Sequence, residues 1–244
     1  MSQVKLIVSN WKMNLNISQA RVLTNKLKKI EIKNNLIKNI ICPQFILLPI
    51  LSDVVKKSNI LLGAQDCHYK KSGAYTGDTS IELIKEIGCK YIIIGHSERR
   101  VYKGETNDII RAKAELVISE KLKPIICIGE TLEERKKNKY KNILKDQLKI
   151  CIPNNLDEII IAYEPIWSIG TGLVPTVDEI KEIKNFTCDF VFQSKKISKI
   201  FFLYGGSVNS KNIYEIFKLS EVNGALIGGS SLKFDEINKI LTFG

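Results

Sequence analysis

The chain has 244 residues, 44% of them hydrophobic and 26% charged, with a net charge of +11 at pH 7. A chain of this size and balance buries a sizeable core, which excludes a disulfide miniprotein, a collagen-like chain and wholesale disorder. The excess charge comes from 32 lysines against five arginines, spread along the chain beside 39 isoleucines and 18 asparagines. It reads as a chain-wide bias rather than a nucleic-acid site, which would favour arginine and stacked aromatics.

A basic surface still steers an anionic small substrate. No apolar run approaches the 18 or so residues that a membrane helix requires, so no membrane partner is expected. The run Val4–Val8 is too brief for a signal-peptide core. Six cysteines (42, 67, 89, 127, 151 and 188) form no Cys-x-x-Cys pair, and only two histidines accompany them. Neither a disulfide framework nor a zinc site follows from that spacing, and a reduced, cytoplasmic setting is expected.

In chain order, short apolar β-branched runs recur at Leu6–Val8, Ile37–Cys42, Ile60–Gly63, Tyr91–Ile94, Pro124–Ile128, Ile159–Ala162, Ile200–Leu203 and Ala225–Ile227. Continuous apolar runs of this length predict strands covered on both faces in a parallel sheet. Between them, Ser18–Ile30, Thr106–Lys121, Glu134–Lys149, Thr176–Phe190 and Ser210–Lys218 have helical spacing, with Ser18, Thr106, Thr176 and Ser210 as candidate caps. Eight strands alternating with helices predict a closed parallel (β/α)8 barrel with outer helices. No linker divides the chain, so one domain over residues 1–244 is expected. A doubly wound open sheet is the rival; it usually carries a glycine fingerprint after the first strand, where this chain has Ser9-Asn10-Trp11-Lys12.

Reactive residues of such a barrel project from the C-terminal ends of its strands. Those ends carry Asn10 and Lys12, Gln65, His96 with Glu98, Glu130, Glu164, Ser207, and Gly228 with Gly229. Gly205-Gly206-Ser207 and Gly228-Gly229-Ser230 fall after strands seven and eight, where barrels commonly bind phosphate through backbone N–H groups. Taken singly, either glycine pair also suits a plain turn. His96 opens a helix, and N–H groups facing its ring would disfavour the imidazolium; a purely structural histidine is the alternative. Glu164 precedes an apolar stretch with a glycine tip, bracketed by Pro165 and Pro175. This reads as a lid that expels water from a carboxylate base and raises its pKa, against the alternative of an incidental surface loop. Cys127, among apolar neighbours, is expected to be an inert packed thiol.

Asn10-Trp11-Lys12-Met13-Asn14, Gly95-His96-Ser97-Glu98-Arg99-Arg100, Ala162-Tyr163-Glu164-Pro165-Ile166-Trp167, Tyr204-Gly205-Gly206-Ser207 and Gly228-Gly229 together resemble the triosephosphate isomerase family, in its order and spacing along essentially the whole chain. The resemblance implies a TIM barrel interconverting dihydroxyacetone phosphate and D-glyceraldehyde 3-phosphate through an enediolate, in glycolysis and gluconeogenesis. It implies Glu164 as base, His96 as proton shuttle, Lys12 as electrostatic stabiliser and Asn10 as orienting group. Gly170, Ser207, Gly228 and Gly229 would hold the phosphate, and Glu98 would tie down Lys12 or join a proton path. No metal or organic cofactor is implied. It also implies a homodimer in which the loop bearing Tyr75 and Thr76 supports the partner's Asn10 and Lys12. The sequence departs from many members at Leu173-Val174-Pro175, the far hinge of the lid. Three rivals stay open: a glycosidase, which would need a second catalytic carboxylate across the site; another phosphate-binding barrel enzyme; and a non-catalytic binding protein.

Overall fold

The eight apolar runs become eight parallel strands in a computed structural model that describes residues 3–168, 173–219 and 222–243. They are β1 (Lys5–Asn10), β2 (Ile37–Cys42), β3 (Ile60–Ala64), β4 (Tyr91–Ile94), β5 (Lys123–Ile128), β6 (Glu158–Tyr163), β7 (Lys199–Tyr204) and β8 (Gly224–Ile227). Each pairs with its neighbour in sequence, and β8 closes on β1 with Leu6 opposite Gly224 and Ser9 opposite Ile227. Only glycine fits that seam, because a Cβ at residue 224 would lie 2.0 Å from the Leu6 carbonyl oxygen.

Alternate residues of each strand feed two separate apolar layers, as the two-residue strand period requires. Leu6, Val8, Ile40, Ile93, Ile125 and Leu203 belong to the smaller cluster, which fills the barrel. Ile7, Ile41, Ile92, Ile126, Ile161 and Phe202 belong to the larger one, packed beneath the helices. Each fully buried side chain of this kind contributes about 1.5–3 kcal/mol, so isoleucine abundance is used twice over.

The helices are α1 (Ile17–Leu27), α2 (Leu48–Val55), α3 (Ile81–Glu86), α4 (Ser97–Lys103), α5 (Asn107–Ser119), α6 (Leu132–Lys136), α7 (Tyr140–Cys151), α8 (Val177–Lys195), α9 (Ile213–Lys218) and α10 (Phe234–Leu241). Thr106 and Thr176 cap α5 and α8 as expected. Two other caps differ. Asn16, not Ser18, opens α1 through a reciprocal capping box with Gln19. Ser210 does not cap α9; the Asn209 side chain takes the Lys211 and Asn212 N–H groups just before that helix. The single helix expected over Glu134–Lys149 is two, α6 and α7, separated where Asn138 adopts a left-handed φ of 56°.

Candidate active site

Asn10 ends β1 nearly buried, and its side-chain oxygen accepts the Lys12 N–H at 3.1 Å. Lys12 itself has φ +51°, a left-handed conformation unusual for a residue with a side chain. Gln65, after β3, holds that turn: its Nε2 donates to the carbonyls of Lys12 and Cys42, each at 2.8 Å. A strained backbone pinned from both sides marks a position where the side chain's aim matters. The Lys12 ammonium lies 2.6 Å from Glu98 Oε1, so of the two roles open to Glu98 the geometry favours tying down Lys12.

His96 sits at the N-cap of α4, where its Nδ1 accepts the Glu98 N–H at 3.2 Å. With Nδ1 as an acceptor, the ring proton resides on Nε2, which faces Glu164 Oε1 at 3.0 Å. The other oxygen of Glu164 accepts the Ser97 N–H at 3.2 Å. Both side chains are almost wholly buried. Two electrostatic expectations are corrected here. Burial pushes the Glu164 carboxyl up, but His96, the Ser97 N–H and Lys12 outweigh it and hold the pKa below the ordinary glutamate value. Burial likewise opposes charge on His96, yet the Glu164 carboxylate offsets this and raises its pKa. Reasoning from the apolar stretch alone left out the partner 3.0 Å away.

Asn10, Lys12, His96 and Glu164 line a cleft of about 350 Å³ together with Ser207, Gly228 and Gly229. A Cβ on Gly229 would meet nothing within 4 Å, so its backbone borders open space at the start of a short 3-10 turn, Gly229–Leu232. Ser207 lines the cleft, but its hydroxyl donates to the Ser168 carbonyl at 2.6 Å and its N–H to Ser168 Oγ at 3.3 Å. Gly170 lies outside the described residues. Gly205 serves the carboxylate: a Cβ there would stand 2.8 Å from Glu164 Cγ. A larger cavity, about 550 Å³, opens near Phe192 and Lys199 at the start of β7 and contains none of these groups.

Residues 5–244 match the family model described as triosephosphate isomerase. The chain belongs to the triosephosphate isomerase family. It is 46% identical to the triosephosphate isomerase of Wolbachia sp. subsp. Brugia malayi (strain TRS), over 97% of this chain and 96% of that one. It is 43% identical to the triosephosphate isomerase of Dehalococcoides mccartyi (strain CBDB1), over 96% and 94% of the two chains. For that of Clostridium botulinum (strain Loch Maree / Type A3) the identity is 38% over 98% of each.

Against the family's barrel, three features of the site were illegible in the strand ends. Glu130 stands on the rim but points away from the cleft, its Oε1 accepting from Tyr163 Oη and Trp167 Nε1, each at 3.0 Å. Gln65 works through its amide on neighbouring carbonyls, and Ser97 through its backbone N–H; residue type announces neither role. Among the described residues no group of three or more His, Cys, Asp or Glu side chains is arranged to hold a metal ion. Cys127 is buried, with its thiol pKa raised by burial and by Glu164, which agrees with an inert packed residue.

The loop between β3 and α3 is ordered by its own contacts. His68 packs on Tyr69 and Tyr75 at ring-centroid distances of 4.3 and 4.0 Å, and its N–H donates to the Thr79 carbonyl. Tyr75 and Thr76 remain exposed at its tip. Exposed apolar side chains also flank the first strand's loop: Met13 is 87% and Ile46 75% exposed. The Gln44 amide, donating to the Asn14 carbonyl, joins the two loops that carry them. No helix among the described residues is long and apolar enough to cross a membrane.

Proposed function

We propose that this chain is a cytoplasmic, cofactor-independent isomerase that interconverts dihydroxyacetone phosphate and D-glyceraldehyde 3-phosphate, a step of glycolysis and gluconeogenesis. The observation that carries the reading is the His96–Glu164 pair, 3.0 Å apart at one wall of a cleft whose other walls are Lys12 and the Gly228-Gly229 turn. Glu164, ionised at neutral pH, removes the proton on the carbon beside the substrate carbonyl. The electron pair of that C–H bond forms a C=C bond to the carbonyl carbon, the carbonyl π pair moves onto its oxygen, and an enediolate results. His96 donates through Nε2 and moves a proton between the two substrate oxygens, while Glu164 returns its proton to the adjacent carbon. Lys12 stabilises the negative charge that develops, an effect enlarged in a cleft from which water is excluded. Asn10 fixes the Lys12 backbone and orients substrate. Backbone groups of Gly228 and Gly229, with Ser207 and Gly170, hold the phosphate. In the unliganded protein Glu164 occupies the Nε2 of His96, so substrate oxygens take that donor and free the carboxylate.

The working form we propose is a two-fold symmetric homodimer. The ordered loop that exposes Tyr75 and Thr76, and the apolar exposure of Met13 and Ile46, support an arrangement in which each loop covers the partner's first-strand loop and so steadies Asn10 and Lys12. The +11 charge per chain opposes association, which calls for an apolar, well-packed interface. The test is a coupled isomerase assay on the purified protein with a chelator present, run beside light scattering. Turnover of triose phosphate by a dimer is the expected result. An inactive protein would remove the assignment, and fully active monomers would remove the dimer.

A further inference from the structure

The structure assigns Gln147 a positioning role: its side-chain amide holds the chain at Gly129 against the backbone of Glu164 and so sets where that carboxylate stands. The inference rests on the proposed function, since the carboxylate it places is the base of that reaction. Gln147 lies on the buried stripe of α7 with Leu144, Leu148 and Cys151. An amide among apolar neighbours is costly to bury unless both of its ends are paired. Both are, and by one residue. Gln147 Oε1 accepts the Gly129 N–H at 2.8 Å, and Nε2 donates to the Gly129 carbonyl at 2.9 Å. The fixed donor and acceptor of Gly129 dictate which end of the amide is which.

Gly129 and Glu164 each stand one residue beyond the paired strands, since β5 ends at Ile128 and β6 at Tyr163. The Glu164 N–H continues the ladder by donating to the Ile128 carbonyl at 2.7 Å. Beyond that bond the two backbones touch. A Cβ on Gly129 would lie 1.8 Å from the Glu164 carbonyl oxygen and 2.8 Å from its carbon. Two residues before Gly129, Arg100 Nη2 donates to the Cys127 carbonyl at 2.9 Å. The exit of β5 is thus held from the helix layer by α4 and α7, and Glu164 is seated on it. Gly205, against the Glu164 Cγ, closes the other side. With His96 Nε2 only 3.0 Å from the carboxylate, a shift of Gly129 passes directly into the reacting geometry. Gln147 itself does not line the cleft, so its effect runs through position alone.

The experiment compares Gln147→Met and Gln147→Glu in the full-length protein. Methionine keeps much of the shape and loses both hydrogen bonds. We expect its kcat to fall about ten-fold or more, toward the roughly hundred-fold that a misplacement of about 1 Å can cost. KM should stay close to wild type, because the groups that bind substrate are untouched. A merely structural role would lower the melting temperature and the folded fraction while leaving kcat per folded molecule unchanged. Glutamate tests the two bonds themselves. Its protonated carboxyl offers the same donor and acceptor as the amide, whereas the ionised form loses the donor and faces the Gly129 carbonyl with charge. Burial favours the protonated form. The ratio of Gln147→Glu to wild-type kcat should therefore rise as pH is lowered from about 8 to about 5.5, while the Gln147→Met ratio stays flat. Should Gln147→Met fail to fold, the slope for Gln147→Glu decides alone. Wild-type kcat in Gln147→Met, or a Gln147→Glu ratio that does not rise toward low pH, would overturn the role. A wild-type protein without isomerase activity would instead overturn the functional reading. NMR titration of His96 and Glu164, displaced in folded Gln147→Met if the role holds and unchanged if it does not, would still decide the positioning.

Discussion

Glu130 and Glu164 follow adjacent strands, β5 and β6, and both are buried carboxylates on the same rim. Their surroundings drive them in opposite directions. Glu164 turns into the cleft, where His96, an N–H at the head of α4 and Lys12 hold its pKa down against burial. Glu130 turns outward, where burial raises its pKa and the Trp167, Tyr163 and Arg135 donors only partly compensate. A strand end thus delivers a carboxylate to the rim, and the neighbouring strands decide whether it becomes a base or a fastening.

The sharpest way to break that comparison is to neutralise each carboxylate in turn. Glu164→Gln keeps the shape and an acceptor for the Ser97 N–H but removes the base, so turnover should fall by about 10²–10⁴. Phosphate binding and melting temperature should stay close to wild type. Glu130→Gln should leave proton abstraction in place and cost at most roughly thirty-fold through Trp167. Equal losses in the two variants, read in the same isomerase assay, would erase the distinction.

The next largest effect separates chemistry from stability. Glu130→Ala removes a buried acceptor shared by Tyr163, Trp167 and Arg135 while Arg135 keeps Glu179, so the cost should be about 1–3 kcal/mol, that of leaving a buried donor without its partner. Urea unfolding of this variant should show that loss. An unchanged midpoint would mean these contacts carry no weight.

The smallest effects lie in pH dependence. Because Glu164 is depressed in the folded protein, its carboxyl, followed by NMR in the unliganded protein, should titrate below the ordinary glutamate pKa of about 4.3. His96→Gln removes the charge partner and should move that titration upward. Stability carries the same signature with opposite signs for the two carboxylates. Around pH 4–5 the unfolded chain binds more protons at Glu164 than the folded one does, so this group's contribution grows with pH and is lost on acidification. At Glu130 the folded protein keeps its proton longer, so stability declines as pH rises through the unfolded value. Unfolding midpoints between pH 4 and 6 should therefore rise less steeply in Glu164→Gln than in wild type, and more steeply in Glu130→Gln. Parallel slopes in all three proteins would contradict the opposed shifts.

The barrel was legible because its strands are covered on both faces and so stand out as unbroken apolar runs; β2 and β4 keep the expected bounds and the other six are lengthened by one to three residues in the structure. Helices were less so. Leu48–Val55 begins as an apolar run with Pro49 and has no polar face to betray α2, and α3 spans only six residues. Among site residues, Asn10, Lys12, His96 and Glu164 announced themselves by chemical type at strand ends. Gln65, Ser97 and Gly205 act through an amide, a backbone N–H and a missing Cβ, features that appear only when chain segments far apart in sequence meet. The charge state of Glu164 depended on His96, 68 positions earlier in sequence and one hydrogen bond away in space.

Isomerisation in D2O tests the central claim most directly, because it reports whether a proton leaves carbon for a side chain that exchanges with solvent. Wild-type protein should place deuterium on the product carbon beside the carbonyl, Glu130→Gln should do the same, and Glu164→Gln should do so only at its residual rate. Product formed by Glu164→Gln at the wild-type rate would contradict the account, and Glu164 would not be the base.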